Sequence, residues 1–230
     1  MQRSPDAVML FAAGFGTRMR ELTRDKPKPM IEVAGRPLIA HALELVREAG
    51  PARIAANLHY KPEPLKALLE PEKVLLSHET PDILDTGGGL RKALPLLGDS
   101  PVFTMNTDAI WKGPNPLQMA QDAWDPKRMD ALLVCVPLNR AVGRTGGGDF
   151  SADAEGRIRR GGDLVYGGVQ ILKTEGLHQV EDRVFSLNVL WNQMAADGRL
   201  FALEYPGRWC DVGHPEGITL AEDLIAADDV

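Results

Sequence analysis

The chain has 230 residues, of which 44% are hydrophobic and 25% are charged, so it is long enough to fold as a globular domain with a substantial core. Its formal net charge of -6 argues against a protein that mainly coats nucleic acid, because such proteins present a basic face. The first apolar stretch, residues 7–13, is too short to span a bilayer and lacks the basic start of a signal peptide. We therefore predict a cytoplasmic protein without nucleic-acid or membrane partners.

Strand-length apolar runs alternate with helical patterns up to residue 106. We predict strands over 7–13, 53–58, 74–76 and 102–106, and helices over 38–49, 64–69 and 88–97. Pro37 suits the opening turn of the first helix, and Gly50 suits its C-terminal cap. Such alternation is typical of parallel strands joined by helical crossovers, so the first half predicts an α/β fold.

The second half begins with an almost wholly apolar run, residues 131–136, which predicts a central strand covered on both faces. Nine glycines between residues 143 and 168 then indicate turns and antiparallel additions. We predict a helix over 186–196, short strands near 201–203 and 209–212, and a closing helix over 216–227. No internal repeat or long linker interrupts the pattern, so residues 1–230 are predicted to form a single domain.

The two cysteines, Cys135 and Cys210, lie in or beside apolar runs. Neither belongs to a Cys-x-x-Cys or Cys/His pattern of the kind that binds structural zinc. We therefore expect two buried thiols in a reducing compartment.

The segment between Gly14 and Pro37 lacks a helical or alternating period, although it directly follows the first predicted strand. Residues 14–30 carry five cations and two acids, whereas the whole chain is acidic. Gly14 and Gly16 would let backbone N–H groups approach a phosphate, while Arg18 offers a planar fork and Lys28 a compact charge. The alternative is that the glycines only turn the chain and the cations are solvated.

Two better-known phosphate-binding motifs do not fit this loop. The sequence Gly14-Phe15-Gly16-Thr17-Arg18-Met19 lacks the Gly-Lys-Ser/Thr ending of a P-loop. It also has Met19 where a dinucleotide fingerprint requires its third glycine. A Rossmann oxidoreductase is therefore supported only by a partial glycine pattern.

Two aspartates follow short apolar segments and are candidate metal ligands. Asp108 comes just after the predicted strand 102–106, at the end where parallel sheets bind ligands, and Asp211 follows Trp209 and Cys210. Together they could hold one Mg²⁺, which typically takes one or two protein carboxylates and completes its shell with phosphate and water. The alternative is that each aspartate caps a turn or a helix.

Several stretches together resemble the sugar nucleotidyltransferase family. They are Ala12-Ala13-Gly14-Phe15-Gly16-Thr17-Arg18-Met19, Lys26-Pro27-Lys28-Pro29-Met30, Asp85-Thr86-Gly87-Gly88-Gly89, Asn106-Thr107-Asp108 and Trp209-Cys210-Asp211-Val212-Gly213. The resemblance spans nearly the whole chain. It implies a Rossmann-like, mixed but mainly parallel sheet flanked by helices, with a nucleotide-binding part near 1–110 and a sugar-binding part with a small antiparallel addition near 111–230.

The resemblance also implies roles for individual residues. Residues implied to contact the phosphates are Gly14, Gly16, Thr17, Arg18 and Lys28. Residues implied to contact the base or ribose are Ala13, Glu79, Gly87 and Asn106. The implied metal ligands are Asp108 and Asp211. Arg18, Lys28 and Asp108 are the residues expected to support catalysis. Gly148 and Asp149 are implied to contact the sugar, although a hairpin turn with an exposed aspartate would explain them as well.

The Thr86-Gly87-Gly88-Gly89 and Gly147-Gly148-Asp149-Phe150 stretches look most like N-acetylmuramate-1-phosphate uridylyltransferases of cell-wall recycling. The resemblance implies transfer of a nucleoside monophosphate, with UTP as donor, to N-acetylmuramate 1-phosphate, with Mg²⁺ as cofactor and release of pyrophosphate. Alternatives are a mannose-1-phosphate guanylyltransferase, another sugar-1-phosphate nucleotidyltransferase, or a silent nucleotide-sugar sensor.

Overall fold

The computed structural model describes residues 5–98 and 101–227, and its helices and strands follow one another in an α/β order. The strands are β1 (Ala7–Phe11), β2 (Glu32–Val33), β3 (Arg36–Pro37), β4 (Arg53–Leu58), β5 (Leu75–His78), β6 (Val102–Asn106), β7 (Ala109–Lys112), β8 (Ala131–Pro137), β9 (Ala141–Val142), β10 (Phe150–Ala152), β11 (Ile158–Arg160), β12 (Leu164–Leu172), β13 (Leu200–Glu204) and β14 (Arg208–Asp211). The α-helices are α1 (Leu38–Ala49), α2 (Glu63–Leu69), α3 (Asp85–Leu97), α4 (Pro116–Ala123), α5 (Asn188–Ala196) and α6 (Glu216–Ala226).

The central sheet joins a parallel part to an antiparallel part. Its parallel strands lie in the order β5-β4-β1-β6, and β12 pairs antiparallel with β6. Beyond them β8 lies between β12 and β13, while the β10–β11 hairpin extends the sheet from the start of β12. A smaller sheet, β7-β14-β9, stands apart from the central one. The predicted mixed α/β fold with an antiparallel addition is confirmed.

Local sequence explains the first helix well. Gly50 ends α1 in the left-handed conformation, with φ of 69°, as expected of a C-terminal glycine. The residues that α1 buries recur at helical spacing: Leu38, Ile39, Ala42, Leu43 and Val46. The predicted central position of β8 is also confirmed, because six of its seven residues are buried between two neighbouring strands.

Strand β12 differs from the sequence-based prediction, which placed short, turn-separated segments here. It is a continuous nine-residue strand with a register shift between Tyr166 and Gln170. The glycines serve this bulge: a Cβ on Gly167 would lie 2.4 Å from the Trp111 ring, and Gly168 has φ of +96°. They therefore mark close packing inside a strand rather than a turn.

The start of α3 and the presence of α4 also differ from the prediction. Helix α3 begins at Asp85, three residues before the predicted start, so the glycine run lies inside the helix. Gly87 and Gly88 are buried there, and both donate their N–H groups to the carbonyl of Phe185. Helix α4 was not predicted, although Asn115 is a clear N-cap whose side chain accepts hydrogen bonds from the N–H groups of Leu117 and Gln118.

The two thiols lie where the apolar pattern placed them. Cys135 and Cys210 are both buried and free. Burial raises the pKa of the Cys210 thiol to about 11, which keeps it protonated. Among the described residues, no helix is both long and apolar enough to cross a membrane.

Candidate active site

A cavity of about 250 Å³ opens at the carboxyl ends of β1 and β6. This is the edge at which α/β sheets bind ligands. The cavity is lined by Phe11, Ala12, Ala13, Gly14, Gly16, Lys28, Pro29, Asn57, Ile83, Asp85, Thr86, Asn106, Thr107 and Asp108. Six residues predicted from the sequence therefore meet here: Ala13, Gly14, Gly16, Lys28, Asn106 and Asp108.

The glycine loop folds tightly against the residue that supplies its charge. Gly16 has φ of +64°, and a Cβ built on it would lie 2.7 Å from the Cβ of Lys28. Its carbonyl accepts hydrogen bonds from the Met19 N–H and the Thr23 hydroxyl, at 2.9 Å and 3.1 Å. Gly16 thus does more than turn the chain, because the position of Lys28 depends on it. Thr17 and Arg18 are exposed directly after it.

We predict that Gly16→Ala lowers kcat/KM for the nucleotide by about 10²-fold, because even a small displacement of Lys28 would misalign phosphates bound as the sequence resemblance implies. The strained left-handed backbone also costs about 1–2 kcal/mol of stability. Gly35→Ala is the matched control: Gly35 has φ of +73°, but a Cβ there would meet nothing within 4 Å. The control should lose similar stability in urea unfolding yet keep its kinetics; equal kinetic losses would contradict the role of Gly16.

Lys28 and Asp108 form an ion pair inside the cavity. The Nζ of Lys28 donates to Oδ2 of Asp108 at 2.6 Å, and the two side chains are 10% and 32% exposed. Asp108 follows β6 through Thr107, whose hydroxyl donates to the carbonyl of Phe11 at 2.7 Å. The end of β6 is thereby tied to the end of β1, which places the carboxylate opposite the glycine loop.

Asp211 lies beside Asp108, although the two are far apart in sequence. In the antiparallel pair of β7 and β14, Asp211 faces Ala109, and the N–H of Val212 donates to the carbonyl of Asp108 at 3.0 Å. Burial raises the pKa of the Asp211 carboxyl and the charge of Asp108 raises it further, while Lys28 and Arg18 act in the opposite direction.

Asp211 lines neither cavity, but its carboxylate and that of Asp108 are the type of ligand that a divalent cation takes. Two neighbouring acids in a partly buried site repel each other, and a bound cation relieves that repulsion. Within the described residues, no group of three or more His, Cys, Asp or Glu side chains offers a complete metal site. Mg²⁺ needs no such group, because one or two carboxylates suffice when substrate phosphates supply further oxygens.

A second cavity of about 340 Å³ adjoins the first and shares Phe11, Asp85, Thr86 and Asn106 with it. Its remaining lining is Arg144, Asp149, Phe150, Arg160, Tyr166, Gln170, Ser186, Leu187, Asn188 and Trp191. Most of these residues were not predicted from the sequence, because they are scattered over the hairpin, β12 and α5 and belong to no recognisable motif. Asp85 and Thr86 could have been found, because they open the glycine stretch that the family resemblance includes.

Asp149 lines the second cavity, but Gly148 does not. One carboxylate oxygen of Asp149 accepts from Arg144 at 2.7 Å and the other from the N–H of Tyr166 at 3.0 Å. Asp149 is therefore not the exposed residue of a simple turn. A Cβ on Gly148 would lie 2.7 Å from the backbone of Asp163, so this glycine permits close packing of two chain segments.

Glu79 and Gly87, for which the resemblance implied base or ribose contacts, line neither cavity. Glu79 is fully buried, and its carboxylate oxygens accept from Asn57 Nδ2 and from the N–H of Leu84, both at 2.7 Å. A Cβ on Gly87 would lie 2.3 Å from the Phe185 ring. The base or ribose contacts of these two residues therefore remain predictions. In this structure Glu79 is bonded to Asn57, which lines the first cavity, and Gly87 packs within α3.

We predict that Glu79→Gln lowers the free energy of unfolding by about 1–3 kcal/mol, measured by urea denaturation, because a buried donor then lacks an acceptor. Asn57 cannot compensate by flipping its amide, since its Oδ1 already accepts from the N–H of Ala12 at 2.7 Å. Glu32→Gln on the exposed face of β2 is the control and should leave stability unchanged. Unchanged stability with a raised KM for the nucleotide would instead support a direct base contact.

The family known as the MobA-like NTP transferase domain matches residues 8–148, and this chain belongs to that family. The chain is 38% identical over 240 aligned residues to the N-acetylmuramate alpha-1-phosphate uridylyltransferase of Caulobacter vibrioides, with 98% of this chain and 99% of that protein aligned. The mannose-1-phosphate guanyltransferase of Aspergillus fumigatus is 30% identical over 226 residues, which cover 91% of this chain but 61% of that protein.

A solved structure with low sequence identity has the same fold. The inositol-1-phosphate CTP transferase of T. maritima superimposes with a TM-score of 0.78 at 15% identity, and the match covers 100% of both chains. Family membership confirms the enzyme class that the sequence resemblance implied, a nucleotidyltransferase acting on sugar phosphates.

Proposed function

We propose that this chain transfers the uridylyl group of UTP to N-acetylmuramate 1-phosphate, releases pyrophosphate, and acts in the cytoplasm in peptidoglycan recycling. The observation that carries the proposal is the pair of adjoining cavities: Lys28 and Asp108 line the first, and a polar and aromatic wall lines the second. The near full-length match to a uridylyltransferase supports the choice of base and sugar. UTP would occupy the first cavity, lined by residues 11–108, and the sugar would extend toward residues 144–191.

The chemistry requires alignment and charge neutralisation rather than a catalytic base. The second pKa of a phosphate monoester is about 6, so the attacking oxygen of the sugar phosphate is already ionised at neutral pH. That oxygen forms a bond to the α-phosphorus of UTP. On the opposite side of the phosphorus, the bond to the oxygen that bridges the α- and β-phosphates breaks, and this oxygen leaves as part of pyrophosphate. The protein must hold two mutually repelling anions in this geometry.

The residues of the first cavity suit this task. The backbone of Gly14, Gly16 and Thr17 would face the triphosphate, and Arg18 and Lys28 would neutralise charge as pyrophosphate forms. Ala13 and Asn106 would contact the nucleoside. Asp108 and Asp211 would hold Mg²⁺. When bound, this ion would supply charge neutralisation to the reacting phosphates.

The test is a matrix of UTP, GTP, dTTP and CTP against the 1-phosphates of N-acetylmuramate, N-acetylglucosamine, glucose and mannose, with pyrophosphate release as the readout. We expect the highest kcat/KM for UTP with N-acetylmuramate 1-phosphate, and loss of turnover in excess EDTA. Highest turnover with GTP and mannose 1-phosphate would reassign the substrates. Binding of nucleotide sugars without turnover anywhere in the matrix would indicate a regulatory protein instead.

A further inference from the structure

The second cavity combines features that suit a sugar with one feature that a neutral sugar does not need. The aromatic side chains of Tyr166 and Trp191 offer apolar faces, and the amide of Asn188 and the hydroxyl of Ser186 offer hydrogen-bonding groups. Side chains of these kinds usually line binding sites for small polar ligands. The cavity also contains two arginines, which are typical ligands of carboxylate and phosphate groups.

The two arginines are not equivalent. Arg144 is paired with Asp149 at 2.7 Å, so its charge is already balanced. Arg160 has no acidic partner within residues 5–98 and 101–227; its Nε and Nη2 atoms donate to amide oxygens, and Nη1 donates to no protein acceptor described there. The remaining acid of the cavity, Asp85, belongs to the wall shared with the first cavity.

The guanidinium of Arg160 is also held in one orientation. It lies 4.9 Å from the ring centroid of Phe150 and 5.9 Å from that of Trp191. Its Nη2 donates to Oδ1 of Asn188 at 2.7 Å and to Oδ1 of Asn192 at 2.8 Å. A cation stacked and hydrogen-bonded in this way loses little further freedom when it binds an anion.

The position of Arg160 separates it from the reacting phosphates. Lys28 and Asp108 line only the first cavity, whereas Arg160 lines only the second. A sugar phosphate whose phosphate meets a nucleotide in the first cavity would therefore extend its ring into the second cavity, which Arg160 lines. An anionic group on that ring would complete the hydrogen bonding of the guanidinium.

We propose, on the basis of the function proposed above, that Arg160 is a specificity residue that binds a carboxylate carried by the sugar. In N-acetylmuramate this group is the lactyl ether carboxylate, which the otherwise identical N-acetylglucosamine lacks. Arg160 selects acidic over neutral hexosamine phosphates, and Asp149 keeps Arg144 from competing for the same group.

The experiment compares N-acetylmuramate 1-phosphate with its lactyl carboxamide, which has nearly the same size but no charge. We expect the wild-type enzyme to prefer the acid in kcat/KM by about 10- to 100-fold, as for loss of a charge-assisted hydrogen bond. Arg160→Gln should abolish that preference and raise KM for the acid, with KM for UTP unchanged. Arg160 is itself exposed, so the control is its equally exposed neighbour Arg159, which lines neither cavity because neighbouring residues of a strand point to opposite faces. The preference of Arg159→Gln should match that of the wild type.

Three results would overturn the proposal while leaving the proposed function in place. The first is a wild-type enzyme that uses both compounds equally, and the second is a preference for the acid that survives Arg160→Gln. An equal loss for acid and amide in Arg160→Gln would also overturn it, since Arg160 would then serve the common phosphate or the fold. Absence of pyrophosphate release with every sugar phosphate would refute the proposed function itself, and the inference with it.

Discussion

Asp108→Asn should lower kcat for pyrophosphate release by about 10³-fold, the largest loss expected for any single substitution in the two cavities. Asparagine retains an oxygen for Lys28, whose Nζ lies 2.6 Å from Oδ2 of Asp108, but it removes the charge that would hold Mg²⁺ beside Asp211. Steady-state kinetics with UTP and N-acetylmuramate 1-phosphate, at several Mg²⁺ concentrations, measures the loss.

Asparagine is preferred over alanine because of this ion pair. Alanine would leave the nearly buried Lys28 ammonium without its partner, and removal of one member of a buried pair can cost about 3–5 kcal/mol. Asparagine keeps a hydrogen-bond acceptor for Lys28, so Asp108→Asn should lose less stability than Asp108→Ala on thermal unfolding. Asp122→Asn, on the exposed face of α4, controls for loss of one negative charge. Turnover of Asp108→Asn at the wild-type rate would remove Asp108 from the reaction.

Lys28→Met should reduce kcat/KM for UTP by about 10²- to 10³-fold, because the charge that we propose neutralises the departing pyrophosphate would be lost while the volume is kept. The effect should fall on the nucleotide, with the KM for the sugar phosphate little changed, since Lys28 lines only the first cavity. Initial-rate kinetics with each substrate varied in turn separates the two constants.

The matched control is Lys26→Met, two residues earlier in the same basic segment and outside both cavities. It removes the same charge and should leave both kinetic constants unchanged. If the two variants lost nucleotide turnover equally, the effect would come from the general positive charge of the loop. The location of Lys28 in the cavity, beside Asp108, would then not explain the loss.

Local pattern predicted those parts of the fold that local physics controls. Helix α1 and strands β4 and β6 lie where the sequence placed them, because their apolar spacing and the Gly50 cap act over a few residues. Strand β12 and the start of helix α3 could not be placed in this way. Their glycines meet Trp111 and Phe185, which are distant in sequence, so the reason for the glycines is invisible until the chain is folded.

The sequence by itself determined the enzyme class and much of the first cavity, because the glycine loop, Lys28 and Asp108 belong to short contiguous stretches. Only the tertiary structure decided that Asp211 lies beside Asp108, that Glu79 is a buried support, and that Arg160 faces the second cavity. These relations arise from strand pairing and side-chain packing between segments far apart along the chain. No local pattern encodes them, since each residue's neighbours are set by the register of the sheets rather than by its position in the sequence.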